Sequence, residues 1–576
     1  MKLEWNFKNL EVDESKTLNE IKKLTNNIYK YKEKITKPID LKKIILAKEK
    51  IKYLFSYLYV NQSLKQSKNT QDKDALAKLS KYSLISSEIS SKTRYVNLWF
   101  ANLDNKKAAE FINSSELKEY KYYLKKIRES KKYMLDEKSE EIISLKNITG
   151  GSKSSDIFEI LCSSYEYDFL GKKVNSEVLT SNFKSSNPKH RETAYKTLLS
   201  NFKDKIVVHS ELYKNVVLDW YNEGIKIRGY KSPISMRNHG NDVTDKAVNA
   251  LLNVCKKNAK VFSEYFKLKH EVNGKKYENN RYHVYAPLNV KDVKYDFKKS
   301  KKLALEVFKE FDLRMYDAAK KVFEAEHVDS HPKKHKRGGA FCYTPNSKMT
   351  PFVMLNHTDT LNDLFTLVHE LGHAIHGVAS SINTEFNHHA NIPLCETASV
   401  FSENLLAEKL LKESKSKEEK ISILSHMIDG EYATIARQSF FVLFEIEAHK
   451  AISEGRTSTD LENIYYDLLK MQFKGIDIPE EFKYEWSYIP HIYNTPFYCY
   501  GYAWGNLLVL SLWNMYKKQG ESFKEKYWKL LEAGDSENPQ KLLKKLGINV
   551  EKEEFWEEGF KVIKKQIKEL KLLIKS

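Results

Sequence analysis

Two histidines and a glutamate stand at a spacing that suits metal chemistry. In the run TLVHELGHAIHGVAS, His369, Glu370 and His373 form the pattern HExxH. Helix positions four apart lie one turn apart on one face, so His369 and His373 can hold a single ion together. Imidazole is a favoured ligand of zinc. Glu370, beside the first of them, would reach an open position on that ion, where its carboxylate can take a proton from water. Leu364, Val368, Leu371 and Ile375 recur around the histidines and predict a buried helix. Gly372 is out of place there, because an interior Gly costs about 1 kcal/mol relative to Ala. A close backbone approach, by a neighbouring helix or by the metal site, would account for it. HExxH is short, and a solvated helix whose histidines happen to lie four apart fits the same letters.

A second stretch strengthens the metal reading. NIPLCETASVFSENLLAEKLL predicts a helix with Leu394, Ala398, Phe401 and Leu405 on one side. Glu396, Ser399 and Glu403 form a polar stripe on another. A carboxylate here could be the third protein ligand, leaving the fourth position to water. Glu403 could then be the partner of a ligating histidine. A solvent-facing stripe on an amphipathic helix fits the spacing equally well. The metzincin variant is excluded, since it requires Gly where His376 stands and His where Ala379 stands.

HELGHAIH followed by ETASVFSE resembles the M3 metallopeptidases, and most closely their oligoendopeptidase F branch. The resemblance implies a zinc ion held by His369, His373 and Glu396, with Glu370 as general base. It covers most of the chain from about residue 115 and is strongest from 338 to 504. It also implies a mainly α, two-lobed metallopeptidase with a small β-hairpin or sheet beside the HExxH helix, its active site in a deep channel between lobes. The activity implied is internal cleavage of short, unstructured peptides, with folded proteins excluded.

The elements that must position these residues follow in chain order. From about Thr17 to Asn105, apolar residues three and four apart alternate with lysines, which predicts packed helices and no chemistry. By resemblance, this N-terminal part (1–185) forms a helical lobe covering the channel, ahead of a catalytic domain (186–576). The stretch RYHVYAPL places His283 where the related proteins often carry Asp, two residues before the Tyr-Ala-Pro run. In GGAFCYTPNSKMTPFVMLN, two apolar runs flank a turn at Pro345 and Asn346, predicting an antiparallel hairpin just before the HExxH helix. As an edge near the metal, it could pair with a peptide backbone irrespective of side chains, with Gly338 and Gly339 allowing close approach and Gly339 and Ala340 as the substrate-binding positions. A purely structural hairpin fits as well.

The last informative stretch, YEWSYIPHIYNTPFYCYGYAWGN, sets His491 among tyrosines interrupted by Pro490 and Pro496. As core, each Tyr hydroxyl would need a buried partner. The stretch resembles the family's loop of His and Tyr residues that binds substrate and stabilises the oxyanion. That points to His491 and Tyr502 for catalysis, and to Tyr498 and Tyr500 for substrate contact.

Composition bounds the alternatives. At 576 residues the chain exceeds one ordinary core. Its net charge of +19 comes from lysines dispersed among glutamates, and no nucleic-acid recognition fold accompanies it. Five scattered cysteines without a CxxC pair point to reduced thiols and a cytoplasmic setting. No signal peptide is evident at the N-terminus, and the longest apolar run, near Leu507 to Trp513, is far short of a membrane span. The partners expected are short peptides, without nucleic acid or membrane, for a monomer or homodimer. A zinc- or peptide-binding module without catalysis is the rival, but a pure binder has no need of Glu370.

Overall fold

Apolar residues at helical spacing, with Lys and Glu between them, fold this chain as 73% helix with a few short strands, the mainly α class expected. The computed structural model describes residues 3–274, 277–288 and 293–576. Two compact units form, each from three stretches of chain. The first comprises Met1–Glu141, Asp292–Lys409 and Tyr516–Leu546; the second comprises Ile142–Lys291, Leu410–Met515 and Gly547–Ser576. The expected division at residue 185 falls inside the second unit.

In the first unit the N-terminal helices α1 (Glu14–Tyr29), α2 (Pro38–Lys68) and α3 (Lys73–Thr93) start where the local chemistry dictates. Asp13 and Asp72 accept from backbone N–H groups of the first turns of α1 and α3. Pro38 opens α2, where its missing N–H is not needed. Ile21, Ile28, Leu41, Ile44 and Ile45 then meet Phe100 and Phe111 in one core. Each such burial is worth about 1.5–3 kcal/mol.

These helices are built into the unit that carries HExxH. Trp5 Nε1 donates to the carbonyls of His327 and Val353 at 3.1 and 2.9 Å. Glu49, buried in α2, accepts from Glu385 N at 2.9 Å. The carbonyls reached by Trp5 belong to a three-stranded sheet and its approach: β3 (Val328–Asp329), β5 (Phe352–Met354) and β4 (Phe341–Tyr343), in that order across the sheet. β5 runs parallel to β3 and antiparallel to β4. Central β5 is fully buried, which is why its run reads as continuously apolar. β4 is an outer strand and half-buried.

The second unit carries a two-stranded hairpin, β1 (Tyr167–Phe169) with β2 (Lys172–Val174). Leu170 and Gly171 turn it at φ 52° and 78°. Its interior packs Trp504 against Trp556 at 4.9 Å and pairs Arg281 with Glu485 at 3.0 Å, both side chains buried. Among the described residues no helix is long and apolar enough to cross a membrane.

Candidate active site

Thr360 and Asp363 start the helix Leu361–Ala379 by a reciprocal cap. Asp363 N–H donates to Thr360 Oγ1 at 3.2 Å, and Thr360 N–H donates to the Asp363 carboxylate at 3.0 Å. Leu364, Val368, Leu371 and Ile375 are fully buried, as their spacing requires. The opposite face holds His369 and His373, both half-buried, with ring centroids 4.8 Å apart.

Glu396 meets them, though not from the helix expected. The chain is helical over Ile392–Cys395 and again from Ser399, and Glu396 sits in the break with ψ near 0°. The helix Leu361–Ala379 is the reason. A Cβ on Gly372 would lie 2.5 Å from Ser399 Cα and 2.7 Å from the Ala398 carbonyl oxygen, so the two backbones touch there. That contact delivers the Glu396 carboxylate, with Oε2 3.5 Å from Nε2 of both His369 and His373. A tetrahedral ion about 2.0–2.1 Å from each donor separates them by about 3.4 Å, which both Glu396–histidine distances match, and all three donor atoms lie within 4.8 Å of one another. Ser399 Oγ, its neighbour on the polar stripe, donates to Glu396 Oε2 at 2.7 Å.

The group that orients His369 is Glu403, whose Oε1 is hydrogen-bonded to His369 Nδ1. This leaves Nε2 facing Glu396, the arrangement that fixes tautomer and ring orientation in metal-binding histidines. Burial opposes charge on His369, but the Glu403 carboxylate outweighs it and raises the imidazole to about 10. Burial likewise works to raise Glu396, yet His373 and His369 hold it below its ordinary value. Replacing Glu403 with Gln should lower divalent-metal affinity about 10–100-fold, read by competition with a chromophoric chelator. Unchanged affinity would remove Glu403 from the site.

Glu370 stands apart from this cluster. It is 7% exposed, and burial pushes its carboxyl up to about 7, opposed by the adjacent His369 charge and more weakly by the backbone N–H of Cys342 in β4. The expected hairpin therefore forms and lies against the HExxH helix. The space beside its glycines is open: a Cβ on Gly338 or Gly339 would meet nothing within 4 Å. Gly339 has φ 75°, a conformation that suits glycine. Asn356 Nδ2 donates to its carbonyl at 2.8 Å, and half-buried Ala340 leads from it into β4.

The His and Tyr loop belongs to the second unit, where His491, Tyr498 and Tyr502 cluster. Tyr502 meets His491 edge-on at 5.9 Å and Tyr498 at 5.3 Å. Tyr500 is a correction. It is wholly buried, and its hydroxyl accepts from Asn241 Nδ2 at 2.7 Å, which places it in packing rather than on a substrate face. The turn before these rings is held by residues with no motif to announce them. Phe497 adopts φ 58°, its N–H donates to buried Glu445 at 2.7 Å, and Arg237 Nε donates to the Pro496 carbonyl at 2.9 Å. Glu445, a lone carboxylate among the apolar letters FFVLFE, was the one visible signal. Burial and the Arg437 charge lower the His491 pKa, favouring neutral imidazole. His283 is buried away from any such role, its Nδ1 accepting from Arg191 Nε at 3.2 Å.

A helix presenting HExxH, completed by a carboxylate from the next segment, is the donor set of a metal-dependent peptidase. Known proteins place it further. The sequence pattern of peptidase family M3 matches residues 182–562, and that of the oligopeptidase F N-terminal region matches 99–167. An oligoendopeptidase F homolog of Lactococcus lactis subsp. lactis is 28% identical over 540 residues, covering 90% of this chain and 88% of its own. Oligopeptidase PepF of Bacillus subtilis is 27% identical over 579 residues, covering 97% of this chain and 85% of its own. The fold matches oligoendopeptidase-F from Enterococcus faecium with TM-score 0.73 at 22% identity, covering 97% of this chain and 98% of that one. It matches a Chlamydophila abortus crystal structure with TM-score 0.86 at 24% identity, covering 99% and 98%. The chain belongs to peptidase family M3, in its oligoendopeptidase F branch, and is a metalloendopeptidase.

Proposed function

We propose that the chain is a zinc-dependent endopeptidase that hydrolyses internal bonds of short, unstructured peptides in the cytoplasm. The convergence of His369, His373 and Glu396 on one point carries the reading. The five cysteines, all free, are consistent with a reducing compartment. Zinc bound by these three residues would lower the pKa of water towards about 7 and polarise a carbonyl. Glu370 takes the proton of the attacking water as its oxygen joins the peptide carbonyl carbon. It returns that proton to the departing amine as the C–N bond breaks. A carboxyl pushed up to about 7 is suited to both halves of the transfer. The outer strand β4, entered through Gly339 and Ala340, offers an edge for the peptide backbone.

From the family resemblance we carry forward His491 and Tyr502 as donors to the developing oxyanion and Tyr498 as a substrate contact. Their clustering in one partly exposed group supports this. Tyr502→Phe should then lower kcat about 10²–10³-fold with little change in KM. A wild-type kcat would remove the hydroxyl from the mechanism.

The whole reading is tested by incubating the protein with mixed unstructured peptides and one folded protein, with products read by mass spectrometry. Parallel samples carry a chelator, then chelator with zinc restored. Internal cleavage of the peptides alone, lost and regained with zinc, is expected. No cleavage by folded, metal-loaded protein would reduce it to a binding module.

A further inference from the structure

Beside His373 lies a cavity of about 510 Å³ within the first unit, inside the range of about 300–1,000 Å³ usual for ligand pockets. One wall is the Tyr343 end of β4 and the Thr344 that follows it, so a peptide laid along β4 past Glu370 runs toward the cavity or away from it. Another wall is made by Lys52, from the middle of α2, a segment in which the sequence shows no chemistry, and by His389. No carboxylate is among the described residues that line it.

Lys52 is held in place. Its Nζ donates to the Glu385 carbonyl at 3.1 Å and lies 3.3 Å from the Glu385 carboxylate. That carboxylate is wholly buried and accepts from Ser347 N at 2.9 Å. It therefore anchors the lysine without facing the cavity. The Lys52 side chain remains 45% exposed, with N–H groups left for a ligand. An ammonium fixed at a cavity wall is set to receive an anion, because an anchored donor loses less conformational freedom on binding.

Resting on the peptidase reading above, we propose that this cavity binds the carboxylate-bearing end of the substrate, with Lys52 as its specificity-determining residue. The carboxylate is either the peptide's free C-terminus or an acidic side chain near it. This would make the N-terminal helices part of substrate selection, favouring peptides that end within reach of the site.

The test uses one internally quenched neutral nonapeptide in three forms: free acid, C-terminal amide, and amide with Glu as its last residue. For wild-type protein, kcat/KM for the free acid should exceed that for the neutral amide by about tenfold, the scale of one hydrogen bond to a charged group. Recovery by the Glu-bearing amide would assign the pocket to side chains; failure to recover would assign it to the C-terminus. Lys52→Met should bring the acid-to-amide ratio near one, and Lys52→Arg should preserve it, which loss of folding would not do. Equal kcat/KM for acid and neutral amide in wild type, or an unchanged ratio in Lys52→Met, overturns the proposal. Dissociation constants of the acid and amide forms for metal-loaded Glu370→Gln protein give a second readout. If they differ tenfold while wild type cleaves nothing, the carboxylate pocket stands and the peptidase reading falls.

Discussion

Glu370→Gln should lower kcat by about 10²–10⁴-fold, the usual contribution of a positioned acid–base group, while KM and bound metal stay near wild type. The substitution removes the proton acceptor while keeping the side chain's shape, although the lost charge also acts on the neighbouring His369. Glu370 is outside the trio whose donor atoms lie within 4.8 Å of one another, so metal retention is expected. Gln is nearly isosteric and can still accept from the Cys342 N–H. Burial already penalises the ionised carboxylate and pushes it up to about 7. A neutral amide should therefore leave stability unchanged or slightly raised. Elemental analysis and peptide turnover on the same preparation decide the matter. Wild-type turnover in the variant would end the general-base assignment, and loss of metal would place Glu370 among the ligands instead.

Gly372→Ala should both destabilise the protein and weaken its metal site, although Ala is the better helix former. Two effects oppose each other. Helix propensity favours Ala by about 1 kcal/mol. Against it, the new Cβ would lie 2.5 Å from Ser399 Cα, 2.7 Å from Ala398 O and 2.9 Å from Ala398 C. All three are backbone atoms that cannot rotate aside, so the segments must separate, and forced overpacking of this kind typically costs about 1–3 kcal/mol. The clash wins. The displaced segment is the one that carries Glu396 and Ser399, so the Glu396 Oε2 contacts at 3.5 Å to both histidines lengthen with it. Thermal unfolding with and without zinc, together with a metal titration, would show a lower midpoint and a smaller gain from metal. Undiminished stability and affinity would mean that the crossing is looser than these distances state.

Gly372 also shows how far the letters reach. Its presence inside an apolar helix predicts a close neighbour, and the neighbour is there. The predicted helix through Glu396 is interrupted instead, since helical periodicity is local and cannot register the crossing segment that breaks it. Gly339 has a conformational reason of its own, φ 75°, which the letters do not separate from the open space that an approaching peptide backbone needs. Tyr500 looked like its neighbours in a tyrosine-rich loop, and only its burial against Asn241 separates it from Tyr498 and Tyr502.

By itself, the sequence determined what local spacing can encode. The HExxH face, the hairpin before it and the mainly helical class all follow from periods of two and four residues. Joining HELGHAIH to ETASVFSE further identified the family. Tertiary structure alone decided which groups support those residues. Glu445 and Arg237 on the turn at Phe497, and Lys52 on Glu385, reach their partners across 52 to 333 positions of sequence, and Glu403, a candidate partner from its spacing, is brought to His369 across 34. Contacts at such separations arise only when helices pack, and packing is set by the shape of the whole core rather than by any period that a single stretch displays.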